Sequence, residues 1–320
     1  MKNFAKWCLL AAMGLSGCAM LDTQSSLDLY LKGELEKERG RLPVALETLT
    51  KAIDKNPKMG LAYISRGEVY KQQGNYEQAA LDYEKATKLE PYNFTANFEL
   101  GVVYQYLKKF AEAVTAYQKA VEIRPLDPDA NMNLALSYTQ LGEPLRGLPY
   151  AQRAVQGNEN SPTTHANLGI LYAQIGYHSA AIDSLKRAIE LNSRQPEVYV
   201  NLGQEYYAAG SFEQARNVLE TARNLAPSSL VSERLGATYY RLKQFDKATE
   251  SFQDALRLDP KNILALNGLG ATVMSQALLA GDGNSVVLAK EAIGYWNQSL
   301  QLNAGQPVIE QLVNKYTPKQ

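Results

Sequence analysis

The sequence predicts an all-α solenoid: about eight stacked helix-turn-helix units, closed by a C-terminal capping helix. Three observations carry this. The stretch YEQAALDYEKATKLEP, Tyr76 to Pro91, returns 34 residues later as FAEAVTAYQKAVEIRP, Phe110 to Pro125. Within each period, small and aromatic residues recur at offsets of three and four, which share one face of a helix. Glycine-containing turns such as Gly74-Asn75, Gly142 and Gly210-Ser211 separate the two sets. A single helical pair cannot bury both of its apolar faces, so such units stack.

Taken in chain order, the first 17 residues stand outside this pattern. Lys2 and Lys6 precede an apolar run, Trp7 to Leu15, too short to span a bilayer as a mature helix. This is the layout of a secretory signal. The run ends in Leu15-Ser16-Gly17-Cys18. That ending resembles the bacterial lipobox, in which a peptidase cuts before the cysteine and the sulfur receives a diacylglycerol. The alternative is a simple signal peptide with an incidental cysteine. The resemblance implies a signal peptide over residues 1–17, lipid attachment at Cys18 and a short tether over 18–25. Ala19, rather than aspartate, follows the cysteine. By resemblance to Gram-negative lipoprotein sorting, this implies the periplasmic face of the outer membrane. Two or more acyl chains anchor a protein stably, and the tether reaches about 28 Å at roughly 3.5 Å per residue.

Cleavage would leave 31 bases against 33 acids, a net charge of about −2, and Cys18 as the only cysteine. A lipidated Cys18 leaves no disulfide or cysteine metal site. The balanced charge argues against a general nucleic-acid binder, which needs a basic face.

The solenoid is expected over residues 26–304, with repeats starting near Ser26, Gly60, Phe94, Pro128, Pro162, Pro196, Ser229 and Ile263. Small/aromatic pairs mark the first helices: Gly67/Tyr70, Gly101/Tyr104, Ala135/Tyr138, Gly169/Tyr172, Gly203/Tyr206 and Gly236/Tyr239. Second helices carry a packing alanine, as at Ala79, Ala113, Ala181, Ala215 and Ala248. The first repeat is weak, with Glu36 at the aromatic position. The fourth has Gly147 in place of the alanine, and Pro149 inside the expected second helix. An interior proline costs about 3 kcal/mol, so that helix is expected to start after Pro149; a soft point or hinge is the alternative. The eighth carries an insertion of about ten residues around AGDGNSVV, with GDGN, Gly281 to Asn284, read as a loop. Residues 305–320 hold Val308, Ile309, Leu312, Val313 and Tyr316 in one apolar stripe, the mark of a capping helix.

These residues identify the chain as a member of the tetratricopeptide repeat family. The resemblance covers nearly the whole chain after Ser25 and implies a right-handed superhelix with a concave groove. It also implies a scaffold or adaptor rather than an enzyme. No phosphate loop, zinc-protease helix or nucleophile elbow is present. GLGAT, Gly268 to Thr272, lacks the third glycine of a dinucleotide fingerprint. His165 and His178 sit at positions usually held by aromatics, which reads as packing rather than catalysis. GDGN has too few carboxylates for calcium. Cofactors, metals, nucleic acid and small-molecule substrates are therefore not expected.

Binding would use the concave stripe at the second, fifth, ninth and twelfth residues of each repeat. In the first two repeats it holds Glu34, Lys37, Glu68 and Lys71. Further on it turns apolar: Phe98 and Val102, Met132 and Leu136, Ala166 and Ile170, with Tyr106, Val200, Tyr207 and Tyr240 nearby. Asn133, Asn167 and Asn201 stand beside this run at 34-residue spacing. An amide both donates and accepts, so a row of them suits an extended peptide backbone. A similar ladder lines the repeats of the O-linked N-acetylglucosamine transferase family. The other reading of these residues is packing between first helices, with asparagine simply common at its position. Some cytosolic relatives clamp a terminal carboxylate with lysines at the fifth position. Here that position holds Tyr30, Ile64, Phe98, Met132, Ala166, Val200, Glu233 and Asn267, so that specificity does not carry over.

The expected partner is a hydrophobic peptide or amphipathic helix, with the membrane reached through the lipid anchor. The layout resembles two groups of lipoproteins with these repeats. One assists pilus secretin assembly, and the other brings peptidoglycan hydrolases together. A chaperone-like carrier of unfolded or exported chains is the alternative, and a structural subunit using its convex face is a third reading.

Overall fold

A computed structural model describes residues 25–280 and 283–317. The signal segment, Cys18 and most of the tether lie outside the described residues. The chain divides into two compact units, the first ending at Lys108 and the second beginning at Lys109. Seventeen helices and no strand occur among the described residues.

The first unit holds α1 (Ser26–Glu38), α2 (Leu42–Lys55), α3 (Gly60–Gln72), α4 (Tyr76–Leu89) and α5 (Phe94–Tyr106). The second opens with α6 (Phe110–Ile123), followed by α7 (Pro128–Gln140), α8 (Pro144–Gly157), α9 (Pro162–Gln174) and α10 (His178–Leu191). It continues through α11 (Pro196–Ala208), α12 (Phe212–Leu225), α13 (Ser229–Arg241) and α14 (Phe245–Leu258). The extended pair α15 (Ile263–Ala280) and α16 (Gly283–Leu302) and the short α17 (Pro307–Tyr316) complete it. Every first helix begins at the residue expected from the repeat. In each unit consecutive helices pack as antiparallel pairs, and successive first helices touch: α1, α3 and α5 in one unit; α7, α9, α11, α13 and α15 in the other.

The turn inside each repeat follows from backbone chemistry. After α3, Gly74 adopts φ of 76°, its N–H donates to the Lys71 carbonyl, and the Asn75 N–H donates to the Tyr70 carbonyl. This paired closure satisfies the last carbonyls of the helix and needs a left-handed residue. The bulky residue of a second helix then settles over the small residue of its own first helix. A β-carbon at Gly203 would lie 2.6 Å from Leu219 Cγ.

The recurrent tyrosine does more than fill a gap, because its hydroxyl bonds to the second helix of the preceding repeat. Tyr104 Oη donates to Glu84 Oε1 at 2.8 Å. Gln118 Nε2 donates to Tyr138 Oη at 2.8 Å, and Gln152 Nε2 to Tyr172 Oη at 2.9 Å. Tyr239 Oη donates to Glu220 in the same way. Phenylalanine would pack equally but could not tie one repeat to the next.

Three expectations are corrected. The helix α8 starts at Pro144, so Pro149 lies within it rather than before it. The carbonyl that loses its partner is that of Leu145, four residues back, and both residues are exposed, so water can replace the bond. The insertion in the last repeat is absorbed as extra helical turns: α15 has 18 residues and α16 has 20, against 13 and 14 elsewhere. Of GDGN, residues 281 and 282 lie outside the described residues, while Gly283 opens α16 rather than a loop. In α17, Ile309, Leu312, Val313 and Tyr316 pack on the core, but Val308 is 66% exposed. It falls a quarter-turn off the buried face. Glu36, at the weak aromatic position of the first repeat as expected, is buried and held by Arg41, whose Nε lies 2.5 Å from Glu36 Oε2. An ion pair stands there in place of ring packing.

Candidate functional site

In the first unit the stripe of the first two repeats is charged and paired with itself. Lys37 bonds Glu34 and reaches Glu68 in the next repeat, and Lys71 reaches Glu99. These charges satisfy one another across successive first helices. Beyond them Phe98 is half-buried and stacks on Phe94 with centroids 5.7 Å apart, and Val102 is half-buried. Tyr106 is 61% exposed, its ring lying flat on Tyr76 at 4.5 Å.

In the second unit Met132 and Ala166, both expected in the groove, leave the surface. Met132 is only 7% exposed and joins Ala135, Ala151, Ala154, Leu168 and Leu171 in a core cluster, on which Leu136 also packs. The fifth position of a first helix points toward the following repeat, so the neighbouring helix pair covers it. Val200 and Tyr240 are likewise partly buried against a core cluster, and Tyr240 Oη lies 3.3 Å from Ser275 Oγ.

Other expected residues converge. Ile170 and Asn201 line one cleft, about 210 Å³, between α9 and α11, together with Ala173, Leu185, Gln204 and Glu205. Tyr207 lines the next, about 220 Å³, between α11 and α13, with Gln204, Leu219, Glu233, Arg234 and Ala237. Gln204 borders both. The amides of Asn167 and Asn201 have no hydrogen-bond partner among the described residues, and both residues are partly exposed. They remain available to a peptide backbone, whereas Asn133 is engaged.

The carboxylates were not foreseen as part of this surface. Glu205 and Glu233 are each only 5% exposed. Glu205 Oε2 lies 2.8 Å from His178 Nδ1 at the start of α10. Glu233 Oε2 lies 3.6 Å from Arg234 Nε. Burial holds the Glu233 carboxyl above its ordinary range, against the pull of Arg234. The sequence signal was the fifth position itself: apolar from the second repeat to the sixth, it turns to glutamate in the seventh.

His165 is half-buried, its Nε2 2.9 Å from the Glu159 carbonyl at the turn before α9. Among the described residues no cluster of three or more His, Cys, Asp or Glu could hold a metal. A wider apolar cavity, about 840 Å³, opens where the elongated α15 and α16 overhang α17, lined by Met274, Leu278, Val286, Ile293 and Tyr316.

A family model described as TPR repeat matches residues 67–108 and 106–142, and two described as tetratricopeptide repeat match 162–195 and 200–263. Together they span more than half of the chain. The chain is a tetratricopeptide repeat protein. No curated protein matches it in sequence. Among solved structures it is similar to YrrB, described as a TPR protein with an unusual peptide-binding site. The identity is 27% and the TM-score 0.54, over 60% of this chain and 98% of that one. PilF of Pseudomonas aeruginosa is 21% identical with a TM-score of 0.54, over 64% and 94%. The C-terminal part of a TPR repeat-containing protein from Cytophaga hutchinsonii is 17% identical with a TM-score of 0.63, over 75% and 99%. The latter two speak to the fold alone. A tetratricopeptide repeat protein is a scaffold for protein–protein interaction, and the clefts beside α11 are where this one offers both apolar walls and free amides.

Proposed function

We propose that this protein is a non-enzymatic, lipid-anchored adaptor that holds a segment of a partner protein across α9, α11 and α13. The observation that carries this reading is the pair of adjoining clefts sharing Gln204, beside the unpartnered amides of Asn167 and Asn201. Apolar walls with a few convergent polar groups are the usual makeup of a binding site. The likeness to YrrB, whose description names a peptide-binding site, supports the same use here. The anchor at Cys18 rests on the lipobox-like LSGC ending, the periplasmic face of the outer membrane on Ala19 after it, and a role in envelope assembly on that placement.

The test is crosslinking in membranes of the native cell, with Ile170→Glu and Tyr207→Glu as cleft variants. One dominant partner, lost in both variants, is expected. Many weakly held clients would favour a carrier of unfolded chains. Retention of the partner in both variants, with loss on changing exposed second-helix residues such as Arg153 and Lys186, would move binding to the convex face. The anchor is tested by Cys18→Ser, which should abolish labelling by radioactive palmitate and release the protein from membranes. Unchanged labelling would overturn it.

A further inference from the structure

We propose that the partner segment is basic, with two lysine or arginine side chains entering the clefts on either side of α11 to meet Glu205 and Glu233. This rests on the reading that the concave face of the second unit holds a partner, and it specifies that partner's chemistry.

Each cleft holds one carboxylate that is about nineteen-twentieths covered. Burying an ionised carboxylate is costly unless a cation matches it. Neither is well matched among the described residues. The partner of Glu205, His178, has a half-exposed side chain and, when neutral, donates a hydrogen bond without cancelling the charge. Among the described residues Glu233 has only the long contact to Arg234, its neighbour on the same helix. Arg241, the next cation on α13, lies over the Phe212 ring at 4.4 Å and is committed there.

Packing alone gives no reason for Glu233. The same repeat position is Ile64, Phe98, Met132, Ala166 and Val200 in the five preceding repeats. A protein that tolerates an acid at such a place keeps it for something other than stability.

The walls suit the rest of a basic side chain. Ile170, Ala173 and Leu185 line one cleft, and Leu219 and Ala237 the other. Lysine and arginine lay aliphatic stems along such surfaces and extend the charge beyond. Packed helices stand about 8–10 Å apart, so the clefts flanking α11 are separated by roughly that distance. An extended chain advances about 3.3 Å per residue, so basic residues two or three apart would reach both. Gln204 between the clefts and the free amide of Asn201 would hold the intervening backbone. An acidic segment would meet two like charges, and nucleic acid would be repelled in the same way.

The test uses the mature chain and fluorescein-labelled ten-residue peptides, read by fluorescence anisotropy. Two lysines, two or three residues apart in an alanine–leucine background, are compared with the same peptides carrying glutamine or glutamate instead. The lysine peptides should bind at least tenfold more tightly than their glutamine counterparts. They should weaken with added salt, and the preference should vanish in Glu205→Gln/Glu233→Gln. Glutamine preserves shape, and the melting temperature of each variant checks the fold; Glu205→Gln alone can still pair with His178. A wild-type preference of one, or a preference the double variant leaves intact, overturns the proposal. If the native partner is lost by Ile170→Glu but kept by the double glutamine variant, the face binds and the basic chemistry is wrong. If Ile170→Glu also keeps it, the reading of the face fails as well.

Discussion

A β-carbon placed on Gly147 of α8 would lie 2.7 Å from the carbonyl oxygen of Ala135 on α7. The fourth repeat thus exchanges the two small residues of its hairpin. Elsewhere glycine stands on the first helix and alanine on the second, as in Gly169 and Ala181 or Gly203 and Ala215; here alanine precedes and glycine follows. The helices still meet closely, with the missing methyl on the other side. Gly147→Ala should therefore lower stability by about 1–3 kcal/mol, the range for overpacking a tight core. Adding Ala135→Gly restores the common arrangement and should recover part of the loss in urea denaturation. A neutral single variant would show that the hairpin has slack.

Arg66 and Asp82 form a two-pronged ion pair in the first unit, with Nε to Oδ2 at 2.8 Å and Nη2 to Oδ1 at 2.7 Å; Asp82 is buried. Burial raises the Asp82 carboxyl above its ordinary range despite Arg66. Arg66→Met would leave that charge covered and alone, at about 3–5 kcal/mol. Adding Asp82→Leu should restore most of it. The loss should also shrink in acid, where protonation removes the stranded charge. Equal losses in the single and double variants would mean the pair contributes nothing specific.

Glu233 gives a pH dependence of defined sign. Its folded carboxyl binds a proton more tightly than the same group in the unfolded chain. Its contribution is therefore fully present below the unfolded value, about 4.3, and is lost as pH rises through the folded value. Glu233→Gln cannot ionise, so it should melt higher than the wild type at pH 7, with the difference closing below about pH 4. A lower melting temperature at pH 7 would instead make the carboxylate a structural asset.

Lys243 occupies, at φ of 58°, the left-handed turn position that glycine takes at Gly40, Gly74, Gly142, Gly176 and Gly210. Its N–H donates to the Tyr240 carbonyl and the Gln244 N–H to the Tyr239 carbonyl, so the closure is the same. A side chain in this region costs roughly 1–2 kcal/mol, partly offset by the extra freedom glycine has when unfolded. Lys243→Gly should stabilise by up to about 1 kcal/mol in thermal unfolding, whereas Lys243→Val should destabilise. Loss of stability in the glycine variant would point to a role for the lysine side chain itself.

Much of this was legible in the amino acids. The 34-residue spacing of Gly203 and Tyr206 with their counterparts set each first helix, and Gly74 and Gly210 set the turns, because these are local preferences read within a few residues. Ile170, Asn201 and Tyr207, which line the clefts, stood out for the same reason: register puts Ile170 and Tyr207 on the inner stripe and Asn201 beside it. Met132 was not. Its register is that of a surface stripe, yet the next repeat covers it, and coverage depends on how hairpins stack. The clefts beside α11 were hidden too, since they draw Leu185 and Leu219 from second helices together with Gln204 and Glu233 from first helices.

By itself, then, the sequence determined where every first helix begins, most of the turns and, within each unit, the order of the helical pairs, since helical period and left-handed glycine are properties of short stretches of chain. Only the tertiary structure decided which residues of the inner stripe stay open and which are sealed, and where Glu205 and Glu233 come to stand beneath apolar walls. Burial is a property of neighbours, and those neighbours arrive from repeats thirty or more residues away.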